Sequence, residues 1–374
     1  MTLPFIDLTA QYRQLQGDID ARLRRVLESG AFILGAEVAD CEAALARLGG
    51  AAHAIGVANG TDALVIALQV EDIGPGDAVF LPAFTYAATA EAVLLAGARP
   101  VFVDVDAATF NIDAGDLQLR IEETRTAGKL KPRALIAVDL FGQPADYRRL
   151  MPVAEQHGLL LIDDAAQSFG ASLDGKPVGA LAPLTTTSFY PSKPLGCYGD
   201  GGALLTDDPR RAELARSIRF HGTSPDRARF LRVGMNSRLD TLQAAVLLAK
   251  LTAFPREIAS RERLAMAYDR RLGNLVTTPT RLPGATSVWA QYTIQLERRD
   301  AVAAALKAAG VPTATHYRTP LHLEPAYQAF GRGAGSLPVA ERLCGRVLSL
   351  PMHGYMDDAT AERISDAVVA AVGR

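Results

Sequence analysis

Cysteine is scarce in this chain, with 3 in 374 residues. Cys41, Cys197 and Cys344 are too few for a disulfide framework and too far apart for the ligand spacings of a zinc site or an iron–sulfur cluster. A reducing, cytoplasmic setting is expected. The formal net charge is only -2, so overall electrostatics give no reason to expect nucleic acid or an anionic membrane as a partner. No apolar run approaches a membrane span, and the start MTLPFIDLTAQYRQ lacks a basic segment leading into a long apolar core, so neither export nor embedding is expected. Internal repeats and low-complexity tracts are also missing. What is present is 49% hydrophobic and 21% charged residues, which suits a well-buried globular protein. The length predicts a large domain and a smaller one, divided here as residues 1–252 and 253–374.

The apolar periodicity starts helical. Ile19, Leu23, Val26 and Leu27 share one helix face and Gly30 is a stop; Val38, Cys41, Leu45 and Leu48 mark a second helix closed by Gly49 and Gly50. Between them Phe32-Ile33-Leu34-Gly35 is an apolar linker, read as core filler or as a lip over a pocket. From His53 onward short apolar runs alternate with helical ones. Strands are predicted at His53–Val57, Ala78–Leu81, Pro100–Val103, Ala134–Val138, Leu159–Ile162 and Ala203–Leu205. Helices are predicted at Thr61–Val70, Ala87–Ala96, Asp146–His157, Pro209–Arg219 and Thr241–Leu251. After Pro255 further helices are expected near Arg261–Leu272, Ala301–Ala309 and Asp358–Val372. Strands without polar alternation, separated by helices, indicate an α/β fold with a mostly parallel sheet covered on both faces. Right-handed crossovers then gather the strand-to-helix loops at one edge, where ligands bind.

Polar residues collect in those loops. Asn59-Gly60-Thr61-Asp62 lies between a strand and a helix, so it either caps the helix or turns the N–H groups of Gly60 and Thr61 toward an anion. Phe84-Thr85-Tyr86 follows the next strand, with its aromatics in the core or presenting a ring face. Asp163 and Asp164 end a buried strand, where carboxylates are costly unless paired. The segment His221–Arg238 is rich in arginine and reads as a solvated loop or as a phosphate contact.

One stretch stands apart. Thr186–Gly202 reads TTSFYPSKPLGCYGDGG, a β-branched run that passes into aromatics, a single lysine between two prolines, and a glycine-rich turn. The prolines forbid regular helix or central strand around Lys193, so its amine is either aimed or simply an ordinary surface ammonium.

GTDAL at Gly60, FTYAATAEA at Phe84, DDAAQSFGA at Asp163, SFYPSKPLGCYGDGGA at Ser188 and NSRLDTLQAA at Asn236 together resemble, in the same order, the DegT/DnrJ/EryC1/StrS nucleotide-sugar aminotransferases. The similarity runs from Phe5 to about Met352. It implies the type I pyridoxal-phosphate transferase fold, with a large domain around a mostly parallel sheet and a smaller C-terminal α/β domain. The cofactor implied is pyridoxal 5'-phosphate, passing through pyridoxamine phosphate. By this resemblance Lys193 is the Schiff-base lysine and proton shuttle, and Asp164 keeps the cofactor ring nitrogen protonated. Gln167 lies near the ring hydroxyl and Tyr86 stacks on the ring. Gly60, Thr61 and Ser188 hold the phosphate, and Asn236 reaches in from a neighbouring subunit. Asp163, where many relatives have glutamate, is structural. Arg238, His316, Tyr317 and His322 fall where relatives hold the sugar and its diphosphate, although a loop or core role for the two histidines stays open. The stretch FILGAE at Phe32–Glu37 resembles a loop that approaches the partner's site.

The expected activity is therefore transamination of a nucleotide-linked keto-sugar with L-glutamate as donor and 2-oxoglutarate as product, by ping-pong kinetics, in a homodimer with shared active sites. PSKPLGCYGDGG and NSRLDTLQAA look most like the enzymes that aminate UDP-2-acetamido-2-deoxy-3-oxo-D-glucuronate for O-antigen lipopolysaccharide. Another UDP-, dTDP- or GDP-linked 3-oxo or 4-oxo hexose is the alternative substrate. A sugar dehydratase of the same fold is opposed by Lys193, which those relatives replace with histidine, and a non-catalytic regulator is opposed by the intact Lys193, Asp164 and Gln167. No metal site is expected.

Overall fold

In the computed structural model, which describes residues 3–373, two helices, α1 (Leu8–Ser29) and α2 (Ala36–Gly49), precede the sheet. Both end on a left-handed glycine, Gly30 at φ 67° and Gly50 at φ 72°, the conformation that costs glycine least. There follow β1 (His53–Val57), α3 (Gly60–Val70), β2 (Asp77–Pro82), α4 (Ala88–Leu95), β3 (Arg99–Val103), α5 (Ala114–Ala127), β4 (Lys131–Val138), α6 (Tyr147–His157) and β5 (Leu160–Asp164). After the short strands β6 (Ser172–Leu173) and β7 (Lys176–Pro177) come β8 (Leu184–Ser188), β9 (Gly202–Thr206), α7 (Pro209–Ile218) and α8 (Thr241–Leu272). The C-terminal part holds β10 (Ala285–Thr286), β11 (Tyr292–Gln295), α9 (Arg299–Ala308), α10 (Pro338–Cys344), β12 (Val347–Leu350) and α11 (Asp358–Val372).

The central sheet has seven strands in the order β1-β9-β8-β5-β4-β2-β3. Every pairing from β8 to β3 is parallel, while β9 runs antiparallel to both its neighbours. The mostly parallel sheet expected from the unbroken apolar runs is present, and two large apolar clusters cover its two faces. Because the parallel strands point the same way, the C-terminal ends of β2, β5 and β8 and the N-terminus of α3 share one edge.

Three elements differ from expectation. Helix α5 was not anticipated; Asp113 caps it by accepting from the N–H of Asp116, and its exposed polar face masks the periodicity. The helices expected at Thr241–Leu251 and Arg261–Leu272 are one helix, α8, with Pro255 inside it. An internal proline costs roughly 3 kcal/mol, but α8 buries Leu247 and Phe254 in the large core and Leu264, Tyr268 and Leu272 in the C-terminal one. Each fully buried side chain returns about 1.5–3 kcal/mol, so continuity wins. The division expected between residues 252 and 253 thus falls inside a helix. Finally, Phe32 and Ile33 are not core filler: they are 45% and 48% exposed, beside the start of α8, where the Thr241 N–H donates to the Phe32 carbonyl.

Candidate active site

At the shared sheet edge lies a cavity of about 890 Å³. Its lining includes Gly60, Thr61, Tyr86, Asp164, Gln167, Ser188, Lys193, His316 and Tyr317, nine residues singled out from the sequence, brought together from five separate segments of the chain.

Lys193 sits at the tip of an arch between β8 and β9. The arch closes on itself: the Phe189 carbonyl accepts from the Cys197 N–H at 2.8 Å, and the Lys193 N–H donates to the Tyr190 carbonyl at 2.8 Å. Gly196 allows this, since a Cβ there would lie 2.6 Å from the Pro191 carbonyl oxygen. Burial pulls the Lys193 amine below its ordinary pKa, with Asp164 opposing that shift.

Asp164 ends β5, in register with Val138 and Thr186. Its Oδ1 accepts from the Ala166 N–H at 3.2 Å, and its Oδ2 has only the Thr89 hydroxyl, at a long 3.4 Å. Burial raises the Asp164 pKa; the Ala166 N–H, Lys193 and Thr89 counter it. Successive strand residues point to opposite faces, so Asp163 turns away from the cavity. It is fully buried with Thr185 at 3.3 Å, in the non-catalytic position expected of it.

Gly60 and Thr61 open α3. The Asn59 side chain takes the Asp62 N–H at 2.8 Å, so the cap is formed, while Gly60 and Thr61 keep N–H groups with no partner within the helix. Ser188 abuts Gly60 directly, and a Cβ on Gly60 would lie 2.7 Å from the Ser188 Cβ. Gln167 accepts from the Phe141 N–H at 2.9 Å and donates to the Tyr317 hydroxyl at 3.4 Å. Tyr86, 60% exposed, has its ring 6.4 Å from that of Tyr317. His316 is pushed toward its neutral form by burial and by Lys193.

Three expected residues do not join the cavity. His322 is wholly buried outside the cavity, with Nε2 3.1 Å from Glu341 and its ring beside Phe102, so of the two readings left open for it the structure fits the core histidine and not the substrate contact. Asn236 and Arg238 lie on the segment between α7 and α8, where Arg238 donates to the Asn236 side chain and its guanidinium stands 4.9 Å from the centre of the Phe220 ring. Neither lines the cavity of its own chain. Conversely, Thr89 and Gln291 line the cavity and were not singled out. Thr89 lies within FTYAATAEA, but 75 residues separate it from the carboxylate it meets. Gln291 comes from the C-terminal part, and its buried Oε1 has no partner.

A lysine facing a buried carboxylate at the C-terminal edge of a parallel sheet, beside open N–H groups at a helix start, defines a lysine-dependent α/β transferase. The model of the DegT/DnrJ/EryC1/StrS aminotransferase family matches residues 13–369, and the chain belongs to that family. It is 47% identical over 367 residues to the UDP-2-acetamido-2-deoxy-3-oxo-D-glucuronate aminotransferase of Pseudomonas aeruginosa, covering 98% of this chain and 99% of that protein. The crystal structure of a DegT DnrJ EryC1 StrS aminotransferase from Brucella abortus superposes with a TM-score of 0.97 at 46% identity, with 100% of each chain covered. NtdA from Bacillus subtilis, solved with bound pyridoxamine phosphate, superposes with a TM-score of 0.90 at 27% identity over 100% of this chain and 86% of that one. The protein is a pyridoxal-phosphate-dependent aminotransferase.

The residues present fit that cofactor. Gly60 packs so closely on Ser188 that no side chain fits between them, which keeps the Ser188 hydroxyl beside the open N–H groups at the start of α3. The weakly partnered Asp164 oxygen suits a protonated ring nitrogen, and the orphaned Gln291 Oε1 leaves an acceptor for a donor on the ligand.

Proposed function

We propose that this aminotransferase acts on a nucleotide-linked keto-sugar, with UDP-2-acetamido-2-deoxy-3-oxo-D-glucuronate as substrate and L-glutamate as donor. The product is the 3-amino uronate, made in the cytoplasm for O-antigen assembly. The observation that carries this is the convergence of Lys193, Asp164 and the Gly60–Thr61–Ser188 cradle on one cavity. The choice of sugar rests on the likeness to the Pseudomonas aeruginosa enzyme.

Each residue has a defined task. Gly60, Thr61 and Ser188 would hold the phosphate of the cofactor. When bound, pyridoxal phosphate would supply an electron sink for the pair left on carbon when a proton is removed. Asp164 would hold the ring nitrogen in its charged form, and Tyr86 would hold the ring. The Lys193 amine, already depressed in pKa by burial, takes the proton from the donor carbon and later returns one to the sugar carbon. Gln167, braced by Phe141, orients Tyr317. His316 and Tyr317 face the incoming sugar.

We place Asn236 and Arg238 in the site of a second copy, in a homodimer with shared active sites. Exposed apolar side chains on the same two surface segments support that reading: Phe32 and Ile33 near the start of α8, and Phe230 and Val233, which are 78% and 91% exposed.

The test is a mass-spectrometric assay of glutamate-dependent amination across UDP-, dTDP- and GDP-linked 3-oxo and 4-oxo sugars. Amination of the 3-oxo uronate is expected; amination of a 4-oxo sugar alone overturns the choice of substrate. Lys193→Ala is expected to remove both turnover and the visible absorbance of the bound cofactor while leaving the fold intact. A Lys193→Ala enzyme with near-normal turnover overturns the mechanism.

A further inference from the structure

Beneath the Lys193 arch is a second buried lysine for which the reaction has no use. Lys250, on α8, is 1% exposed. Its Nζ donates to the Gly196 carbonyl at 2.5 Å and stands 4.1 Å from the centre of the Tyr198 ring. Gln243, two helical turns earlier, brackets Tyr198: its Oε1 accepts from the Tyr198 N–H at 2.8 Å and its Nε2 donates to the Tyr198 carbonyl at 3.4 Å. Glu257, two turns later, accepts from Gln11 of α1 at 3.1 Å and from the Tyr355 hydroxyl at 2.5 Å. Residues seven apart fall on one face of a helix, so one stripe of α8 grips the arch, the first helix and the C-terminal part of the chain.

A buried ammonium is expensive unless hydrogen-bonded, and replacing it with an apolar side chain of similar length is often neutral for stability. Its presence here therefore calls for a role beyond filling space. Cys197 closes the arch through its N–H and thiol on the Phe189 carbonyl, leaving the Gly196 carbonyl as the acceptor that Lys250 takes. Only Pro194 and Leu195 separate Gly196 from Lys193. A shift of this carbonyl moves the reactive amine, because the turn between them is short and holds Pro194.

We propose that Lys250 is a positioning residue: its ammonium, with Gln243, clamps the base of the arch and thereby sets the place of the Lys193 amine opposite Asp164. This rests on the reading of Lys193 as the cofactor-binding lysine. The charged and titratable groups facing Lys250 are Cys197 and Tyr198 from the arch and Glu257 on its own helix, with Tyr12 of α1 packed on the Tyr198 ring. Burial brings the Lys250 amine down to about 8, partly offset by Glu257 and Cys197, so the clamp loosens as the ammonium deprotonates in mildly alkaline solution.

Lys250→Met tests this, since methionine keeps much of the stem and removes the donors. Two readouts separate positioning from packing. In the cofactor-free protein, amide hydrogen exchange of residues 190–199 is expected to quicken about tenfold while the strands of the sheet are unchanged. In the holoenzyme, the pH midpoint of the visible cofactor band is expected to move, and kcat for glutamate to fall about tenfold with KM within a factor of two, as for a misplaced reacting group. A Lys250→Met enzyme with the wild-type band midpoint and kcat overturns the proposal, whatever its melting temperature. If Lys250→Met fails to fold, Gln243→Met is judged by the same two readouts. Borohydride reduction of the wild-type holoenzyme followed by peptide mapping checks the underlying reading separately. Cofactor fixed at Lys193 with an unaltered Lys250→Met enzyme defeats only the clamp; cofactor fixed elsewhere defeats the reading of Lys193.

Discussion

Gly60 and Ser188 approach so closely that a Cβ on Gly60 would lie 2.7 Å from the Ser188 Cβ, a separation that real side chains do not adopt. The first helical residue of α3 and the last residue of β8 are thereby held together, as the proposed phosphate cradle requires. Gly60→Ala is expected to spread it, costing roughly 1–3 kcal/mol of stability and weakening cofactor affinity about tenfold, which follows from the loss of one well-placed phosphate contact. Absorbance titration of the cofactor-free protein measures the second effect and thermal melting the first.

Asp164 is the more sensitive of the two adjacent carboxyls because only it faces the cavity. Asp164→Asn keeps the shape and removes the charge that holds the ring nitrogen protonated. A loss of about 10²–10⁴-fold in kcat/KM is expected, in the range seen when one electrostatic partner of a reacting group is removed. Asp163→Asn, on the opposite face, is expected to stay within about tenfold of wild type. Comparable losses in the two variants would contradict the placement.

Behind the sheet, Asp163 and Asp139 form a buried acidic pair. Asp139 is pushed up to about 7, first by burial and then by the nearby Asp164 charge, against donors from Ala145, Ser168 and Tyr147. Asp163 is raised by burial and by Asp139. Raised carboxyl pKa values contribute stability that is fully present below the unfolded value of 3.8 and lost as pH rises through about 7. Denaturant unfolding should therefore show stability falling between pH 4 and 8, with up to about 4 kcal/mol available from a shift of this size. Asp163→Asn is expected to flatten that slope by taking its own raised carboxyl out of the titration. An unchanged slope would assign the pH dependence to other groups.

A shared site, as proposed, makes a prediction that needs no structure of the dimer. Lys193→Ala and Asn236→Ala homodimers are each expected to be impaired. Mixing and reassociating them creates hybrids in which one site draws Lys193 from one chain and Asn236 from the other. Activity is expected to recover to about a quarter of wild type, the statistical yield of intact sites. No recovery, with exchange verified by mass spectrometry, would return Asn236 to its own chain.

The pattern of apolar runs was enough to place six of the seven strands of the sheet, all but β8, and most helices, since each short buried run is read without knowledge of its neighbours. The Lys193 arch was equally legible, because two prolines and a cluster of glycines restrict the backbone locally. Where reading failed, the cause was non-local. Pro255 looked like a boundary, yet α8 passes through it because cores on both sides bury its apolar residues. His322 looked like a ligand contact, yet packing against Phe102 and Glu341 decided otherwise.

The sequence by itself determined a backbone-restricted lysine at Lys193, the carboxyl pair at the end of a buried strand and the helix start at Gly60, because residue type and local backbone restriction are properties of short segments. Residue type and local pattern left Asp163 and Asp164 equivalent, only the resemblance singled out Asp164, and the tertiary structure shows that Asp164 and not Asp163 lines the cavity. Period-two alternation sends the two side chains to opposite faces, but a parallel strand is buried on both, so no polar alternation marks the face that holds the ligand. It likewise brought Thr89 and Gln291 to the site, and Lys250 beneath the arch, from distant parts of the chain, through contacts that exist only once the sheet and α8 have packed.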